Sequence, residues 1–366
     1  MYILFQSRPD LLENVGGDTI QILKTKQALE LLGNKVDIDS RIDKKLKSYD
    51  IVHIFNLQNT KYTYQLVLNA KKQGKKIALS TIWWDFKYVW DDNDVAKYAV
   101  NFNNVLLSDY IPLTAIKFIN KKGHYLLNIR RHRKIKEILN AVDVILPNSV
   151  AELEILVSEL EMPNLRKKSC VVYNAISLPK FCNDDNKLNI PDNCVMTVGR
   201  IEPIKGQLKV IKALMNRKEI PIVFIGRGIE SPYGQACQNM ARARGNVYFI
   251  SEVKHEEIDK YYKYAKVHAL VSLRESPGLA SLEAAVNGAN VVTSIHAPIC
   301  EYFKTLSHVC DPNDLIDIEK KIITAWKTSR NDELRSFIMD NFTWKNTGLQ
   351  TQDAYKMCMG CKDVSK

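Results

Sequence analysis

Short runs of apolar, mostly β-branched residues alternate along this chain with stretches of helical period, and the whole pattern occurs twice. In the first half the runs are Tyr2–Gln6, Lys35–Ile38, Ile51–Phe55, Lys76–Thr81, Val142–Leu146 and Cys170–Tyr173. Between them Ile20–Leu32 and Tyr62–Lys72 space their apolar residues at i, i+3 and i+4. Strands that are apolar throughout are covered on both faces. With helices between them, they predict a parallel sheet with helices on either side.

The second set of runs is Val195–Val198, Ile222–Ile225, Val247–Ile250, His268–Val271, Val291–Ser294 and His308–Val309. Gln207–Met215, Glu256–Tyr264 and Leu279–Asn287 read as its helices. The expectation is an α/β protein of two doubly wound parallel-sheet domains facing across a cleft. The first domain spans 1–180 and the second 190–342, with a crossover helix at about 344–362 that follows the second and belongs to the first. Pro179, Pro191 and the polar cluster Asn183–Asn189 mark the boundary. The 366 residues suit two cores of this size.

Composition narrows the class. Charged residues make up 25% and hydrophobic residues 46%, which suits a globular chain. The net charge of +11 is uneven, because the first 150 residues hold 23 basic and 15 acidic side chains. Such an excess attracts anionic membranes, nucleic acid or phosphorylated substrates, and charge alone does not choose. Lys117–Glu137 concentrates eight Lys or Arg with Tyr125, Leu126, Leu127, Ile129 and Ile135, and reads as either a solvated helix face or a membrane-surface contact. The eight cysteines form no disulfide framework, which predicts a reducing, cytoplasmic setting. Cys358 and Cys361 form a single CxxC, read as an exposed helix end and not as a zinc site. No apolar run reaches the roughly 18 residues of a membrane span.

Open α/β sheets bind ligands beyond the carboxyl ends of their strands, so chemistry is sought there. After Val195–Val198 comes Gly199-Arg200-Ile201-Glu202-Pro203-Ile204-Lys205-Gly206, opening a helix. Two cations beside unpaired helix N–H groups suit a phosphate. After His268–Val271 comes Glu275-Ser276-Pro277-Gly278-Leu279-Ala280-Ser281-Leu282-Glu283. Gly278 permits close backbone approach to a ligand, and Glu283 lies on a largely apolar helix where it requires a partner such as a ribose diol. Phe224-Ile225-Gly226-Arg227-Gly228 lacks the third glycine of a dinucleotide fingerprint, because residue 231 is Ser, and reads as a tight turn. Asp92-Asn93-Asp94 has an Asp-x-Asp spacing able to hold a metal, but it falls in a polar loop of the first domain and reads as a surface acidic loop.

In this order, and on these strand–loop–helix units, the residues resemble glycosyltransferase family 4. They are Gly199-Arg200 with Lys205-Gly206, Gly226-x-Gly228, and the E-x7-E element Glu275…Glu283 followed by Ala284 and Gly288. The resemblance covers the second domain well and the first through Gly16-Gly17 and Pro147-Asn148-Ser149. It implies the GT-B fold and a retaining, metal-independent hexosyl transfer from a nucleotide-diphosphate sugar, with no cofactor. Arg200 and Lys205 would hold the diphosphate, Glu283 the ribose, Glu275 the sugar near the reacting carbon, and the backbone of Gly278, Leu279 and Ala280 the phosphates. Ser251-Glu252-Val253 matches the family's base-reading segment, and Glu301 a residue that closes the turn after the next strand. Here that turn reads Ile295-His296-Ala297-Pro298 in place of glycines.

The acceptor half is thinner. Gly16 and Gly17 bring backbone toward the donor phosphate or acceptor, or form a plain turn, with Asp18 or Thr19 capping the helix that follows. Where many family members carry a His, this chain has Ser80-Thr81-Ile82-Trp83-Trp84-Asp85. Trp83 and Trp84 read either as a stacking platform for an acceptor sugar or as core, and Asp85 as a candidate base. His53, inside a strand, reads as a core histidine. The implied acceptor is a glycan or lipid-linked oligosaccharide of surface polysaccharide synthesis. Two alternatives stay open: a GT-B epimerase or synthase, and a non-catalytic nucleic-acid-binding protein. The second is disfavoured because no nucleic-acid module accompanies the charge.

Overall fold

The computed structural model describes residues 1–13, 15–83, 89, 92–98, 121–179, 188–275, 277–296 and 298–360. In chain order its strands are β1 (Tyr2–Gln6), β2 (Lys35–Ile38), β3 (Ile51–Phe55), β4 (Lys76–Ser80), β5 (Val144–Leu146), β6 (Cys194–Val198), β7 (Ile222–Ile225), β8 (Val247–Ile250), β9 (Ala265–Leu270), β10 (Asn290–Ser294) and β11 (His308–Cys310). Its helices are α1 (Gly17–Leu31), α2 (Thr60–Lys72), α3 (Asn93–Tyr98), α4 (Lys121–Ala141), α5 (Val150–Leu160), α6 (Gln207–Ala213), α7 (Pro232–Arg244), α8 (Ile258–Tyr262), α9 (Leu279–Val286), α10 (Ile299–Tyr302), α11 (Leu315–Lys327), α12 (Asp332–Asn341) and α13 (Trp344–Cys358).

The strands form two sheets, ordered β2-β1-β3-β4-β5 and β11-β10-β9-β6-β7-β8. All pairings are parallel. The inner strands are buried as a two-faced sheet demands, with every residue of β3, β7 and β10 inaccessible, whereas the edge strands β2 and β8 are partly exposed. Two compact units result. One comprises Met1–Trp84, Phe102–Ala175 and Trp344–Lys366, the other Asp85–Asn101 and Ile176–Thr343. Asp92 and α3, expected within the first domain, therefore belong to the second unit.

In the first unit α13 packs on α1, where Gly348 stands against Ala28. The Tyr355 hydroxyl meets His53 Nδ1 at 2.7 Å, while His53 Nε2 meets Ser80 Oγ at 2.9 Å. Burial pushes the His53 imidazole down to about 3, so it is a neutral, satisfied core group. Cys358 is buried as well, not at an exposed helix end. Cys170–Tyr173 forms no strand. Its amides instead run along the edge of β5, Cys170 N–H donating to Ile145 O and Val172 N–H to Pro147 O.

Helix punctuation explains elements that the apolar pattern alone does not mark. Ser231 caps α7 by accepting from the Gly234 N–H at 3.0 Å, with Pro232 in its first turn. Asp314 caps α11 through the N–H groups of Ile316 and Asp317. No helix among the described residues is long and apolar enough to cross a membrane.

Candidate functional site

β6 and β9 are neighbours at the centre of the second sheet, and the strand order reverses between them: β7 and β8 lie beyond β6, β10 and β11 beyond β9. At such a switch point the following loops part and leave a crevice beyond the strand ends. Both loops singled out in the sequence lie here.

The loop after β6 ends in one tight helical turn, Pro203–Lys205, before α6. Gly206 follows at φ +74°, and a Cβ there would stand 2.7 Å from the Val271 carbonyl oxygen, so only glycine allows this approach. The Leu273 N–H donates to Ile204 O at 2.8 Å. These contacts lay the Lys205 turn on the loop after β9. There Lys205 Nζ donates to Glu275 Oε2 at 2.6 Å, and Ser272 Oγ donates to the same oxygen at 3.0 Å. Glu275 is only 9% exposed, and this pairing offsets the cost of burying its charge.

α9 begins at once, with Gly278 as its N-terminal cap and Leu279 and Ala280 as its first residues. Ser281 and Leu282 N–H both reach Gly278 O, whereas helix geometry gives the N–H groups of Leu279 and Ala280 no partner within the helix. Glu283 lies one turn further on. Its Oε2 accepts from the Tyr262 hydroxyl at 3.3 Å, and its Oε1 lies 3.6 Å from His255 Nε2. Burial pushes the Glu283 carboxyl up to about 8, against the pull of the Tyr262 hydrogen bond, with Asp259 adding to the rise. His255 closes the segment after β8 that contains Val253, which is partly buried against the core.

Beneath these loops His268 is fully buried on β9. Its Nε2 accepts from the Val198 N–H at 3.4 Å, and its Nδ1 meets Ser281 Oγ at 3.3 Å. Burial first, and the Lys205 charge second, push this imidazole down to about 3. The neutral ring thus ties the end of β6 to the first turn of α9. Arg200 behaves differently: its side chain is 59% exposed and lies 3.3 Å from Glu202, without joining the Lys205–Glu275 pair.

The structure therefore brings Lys205, Glu275, Gly278, Leu279, Ala280 and Glu283 onto two adjoining loops and one helix. Ser272, Tyr262, His255 and His268 stand among them unforeseen. His268 lies within an apolar run and reads as core, and a single Ser, Tyr or His elsewhere carries no signal of its own. The tight-turn reading of Gly226 has a physical cause: a Cβ there would stand 2.2 Å from Gly199 O, so the turn after β7 is pressed on the Arg200 loop.

Asp92 and Asp94 are no surface loop. Asp92 is buried and paired with Lys209 at 2.6 Å, and Asp94 lies 3.8 Å from Lys212. Both carboxylates face lysines of α6.

In the first unit Gly16 caps α1 and Gly17 begins it. The Gly16 N–H donates to Thr19 Oγ1 at 3.2 Å, and Arg8 pairs with Asp18 at 3.0 Å. Trp83 corrects the platform reading: its ring is 3% exposed in the core, and its Nε1 donates to Glu159 at 2.8 Å. Its backbone N–H donates to Glu152, whose carboxylate also takes the Thr81 hydroxyl and the Asn148 N–H. A ring held this way has no face for a sugar. Trp84 and Asp85 lie outside the described residues, as does 117–120 of the basic stretch.

Residues 182–339 match the family model "Glycosyl transferases group 1". That segment contains every site residue of the second unit named above. A D-inositol 3-phosphate glycosyltransferase of Nocardioides is 24% identical over 257 residues, covering 60% of this chain and 55% of that protein. The chain spans about half the length of the curated relatives it matches. Among solved structures, sucrose-phosphate synthase from Thermosynechococcus elongatus superposes with a TM-score of 0.73 at 16% identity, covering 99% of this chain and 100% of that one. Anabaena HepE in complex with UDP gives 0.71 at 14% identity, covering 97% and 100%. The fold is GT-B, and residues 182–339 resemble the group 1 glycosyl transferases.

Proposed function

We propose that this chain is a retaining glycosyltransferase of family 4 that moves a hexosyl group from a nucleotide-diphosphate sugar to a glycan or lipid-linked oligosaccharide in surface polysaccharide synthesis. The observation that carries the reading is the Lys205–Glu275 pair at the mouth of α9, within the group 1 glycosyltransferase segment. HepE, of the same fold, has been solved with UDP and with UDP and glucose, which favours a nucleotide sugar as donor.

Transfer breaks the bond between the sugar C1 and a phosphate oxygen, so negative charge grows on the diphosphate as C1 becomes cationic. Lys205, Arg200 after a rotation away from Glu202, and the N–H groups of Leu279 and Ala280 would meet that growing charge. Groups fixed in advance stabilise it more in the transition state than in the ground state. Glu283 would accept from the ribose hydroxyls, and Glu275 would sit beside the sugar. Val253 lies in the segment that would meet the base. The acceptor hydroxyl attacks C1 on the face the phosphate leaves, and its proton passes to the departing phosphate oxygen. No protein nucleophile and no metal is assigned a step. Gly16, Trp84 and Asp85 remain the candidates for the acceptor side, and Gly17 for the donor phosphate. A cytoplasmic enzyme held at an anionic inner membrane surface through Lys117–Glu137 fits lipid-linked acceptors.

The test is a panel of nucleotide sugars with mass and anomeric analysis of the products. One donor should be consumed with its anomeric configuration kept, and turnover should survive EDTA. Consumption of no donor, an inverted product or a requirement for added Mg²⁺ would each contradict the proposal.

A further inference from the structure

Asp92 and α3 lie with the second unit, although the described chain up to Trp83 and from Lys121 to Ala175 belongs to the first. What holds this excursion in place is a buried ion pair. The Asp92 and Lys209 side chains are 5% and 9% exposed, and Lys209 Nζ donates to Asp92 Oδ2 at 2.6 Å and to Asn313 Oδ1 at 3.2 Å. The other Asp92 oxygen accepts from the Val95 N–H at 2.9 Å and so opens α3. At the far end the Tyr98 ring stands edge-on to Tyr233, whose hydroxyl accepts the Leu208 N–H at 2.9 Å. Lys209 and Leu208 both lie in the first turn of α6, just after the Lys205 turn. α3 itself packs against Pro203–Lys205.

Removing two charges from water is costly, and a surface cap for a six-residue helix would not need it. What the pair does achieve is a fixed register between α3 and the turn that carries Lys205. Pairs of this kind are best attested as devices that fix register. We infer that α3 is a brace for the Pro203–Lys205 turn, and that Asp92, Lys209 and Tyr98 are positioning residues for Lys205. The consequence for ligand binding rests on the donor reading proposed above; the bracing itself does not.

Hydrogen exchange on the full chain separates the two. The turn is closed by Lys205 N–H to Glu202 O, Gly206 N–H to Pro203 O and Leu273 N–H to Ile204 O. In Asp92→Asn and in the milder Tyr98→Ala, these amides should exchange about tenfold faster or more, with β7 and β8 amides unchanged. The affinity advantage of a nucleoside diphosphate over its monophosphate should shrink in the same variants. Wild-type protection of the turn in either folded variant would overturn the brace, as would a loss of protection spread evenly over the sheet. If Asp92→Asn fails to fold, Tyr98→Ala decides. Should no nucleotide bind the wild type, the donor reading falls and exchange alone judges the brace.

Discussion

Glu283 is where residue chemistry is most exposed to measurement. Its carboxyl is pushed from an ordinary 4.5 up to about 8, with burial the main cause. The folded chain therefore holds a proton that the unfolded chain has released between those values. Stability from this group is complete below about 4.5 and is lost as the pH rises through about 8. Thermal unfolding from pH 5 to pH 9 should fall more steeply for the wild type than for Glu283→Gln, by on the order of a few kcal/mol. Parallel profiles would place the carboxylate in contact with water. A donor whose hydroxyls bond to the ionised carboxylate would also lower this value and release a proton on binding near pH 7.

Among elements, the decisive feature is the close approach of two loops at the switch point. Gly206→Ala would drive a Cβ into the Val271 carbonyl at a backbone angle that alanine rarely adopts. It should cost about 1–3 kcal/mol in urea unfolding and pull Lys205 from Glu275, weakening nucleotide binding as well. Normal stability and binding would mean that the approach is not needed. This feature was only half legible in the sequence. Glycine after a cationic turn indicated a phosphate loop, but that it packs on Val271 depends on β6 and β9 being neighbours, which no local pattern specifies. The strands themselves were legible because a two-faced sheet demands unbroken apolar runs, and β1, β2, β3, β7 and β8 fall where the runs do. Cys170–Tyr173 has the same composition, yet lies along β5 without forming a strand. The helices α7, α11 and α12 were not marked by apolar spacing, and their starts lie in caps such as Ser231, Asp314 and Asn331.

At the scale of the whole molecule, two parallel sheets with a switch point in the second make up a GT-B fold, and the group 1 match falls on that second unit. The acceptor side was the least legible. Trp83 satisfies its polar atoms on Glu152 and Glu159 and belongs to the core, a fate that sequence cannot distinguish from a sugar platform because both require the same aromatic ring. Asp92-Asn93-Asp94 is misleading for the converse reason: acidic spacing suggests a metal or a solvated loop, and only the fold supplies Lys209 and Lys212 as partners.

In the proposed reaction Lys205 and the start of α9 receive the donor diphosphate. Calorimetric titration with matched nucleoside diphosphate and monophosphate, on the wild type and on Lys205→Ala, tests it most directly. The second phosphate should tighten wild-type binding by tenfold or more, and most of that gain should vanish in Lys205→Ala, at a cost on the order of 2–3 kcal/mol. Equal affinities for diphosphate and monophosphate, or a gain untouched by the substitution, would contradict it.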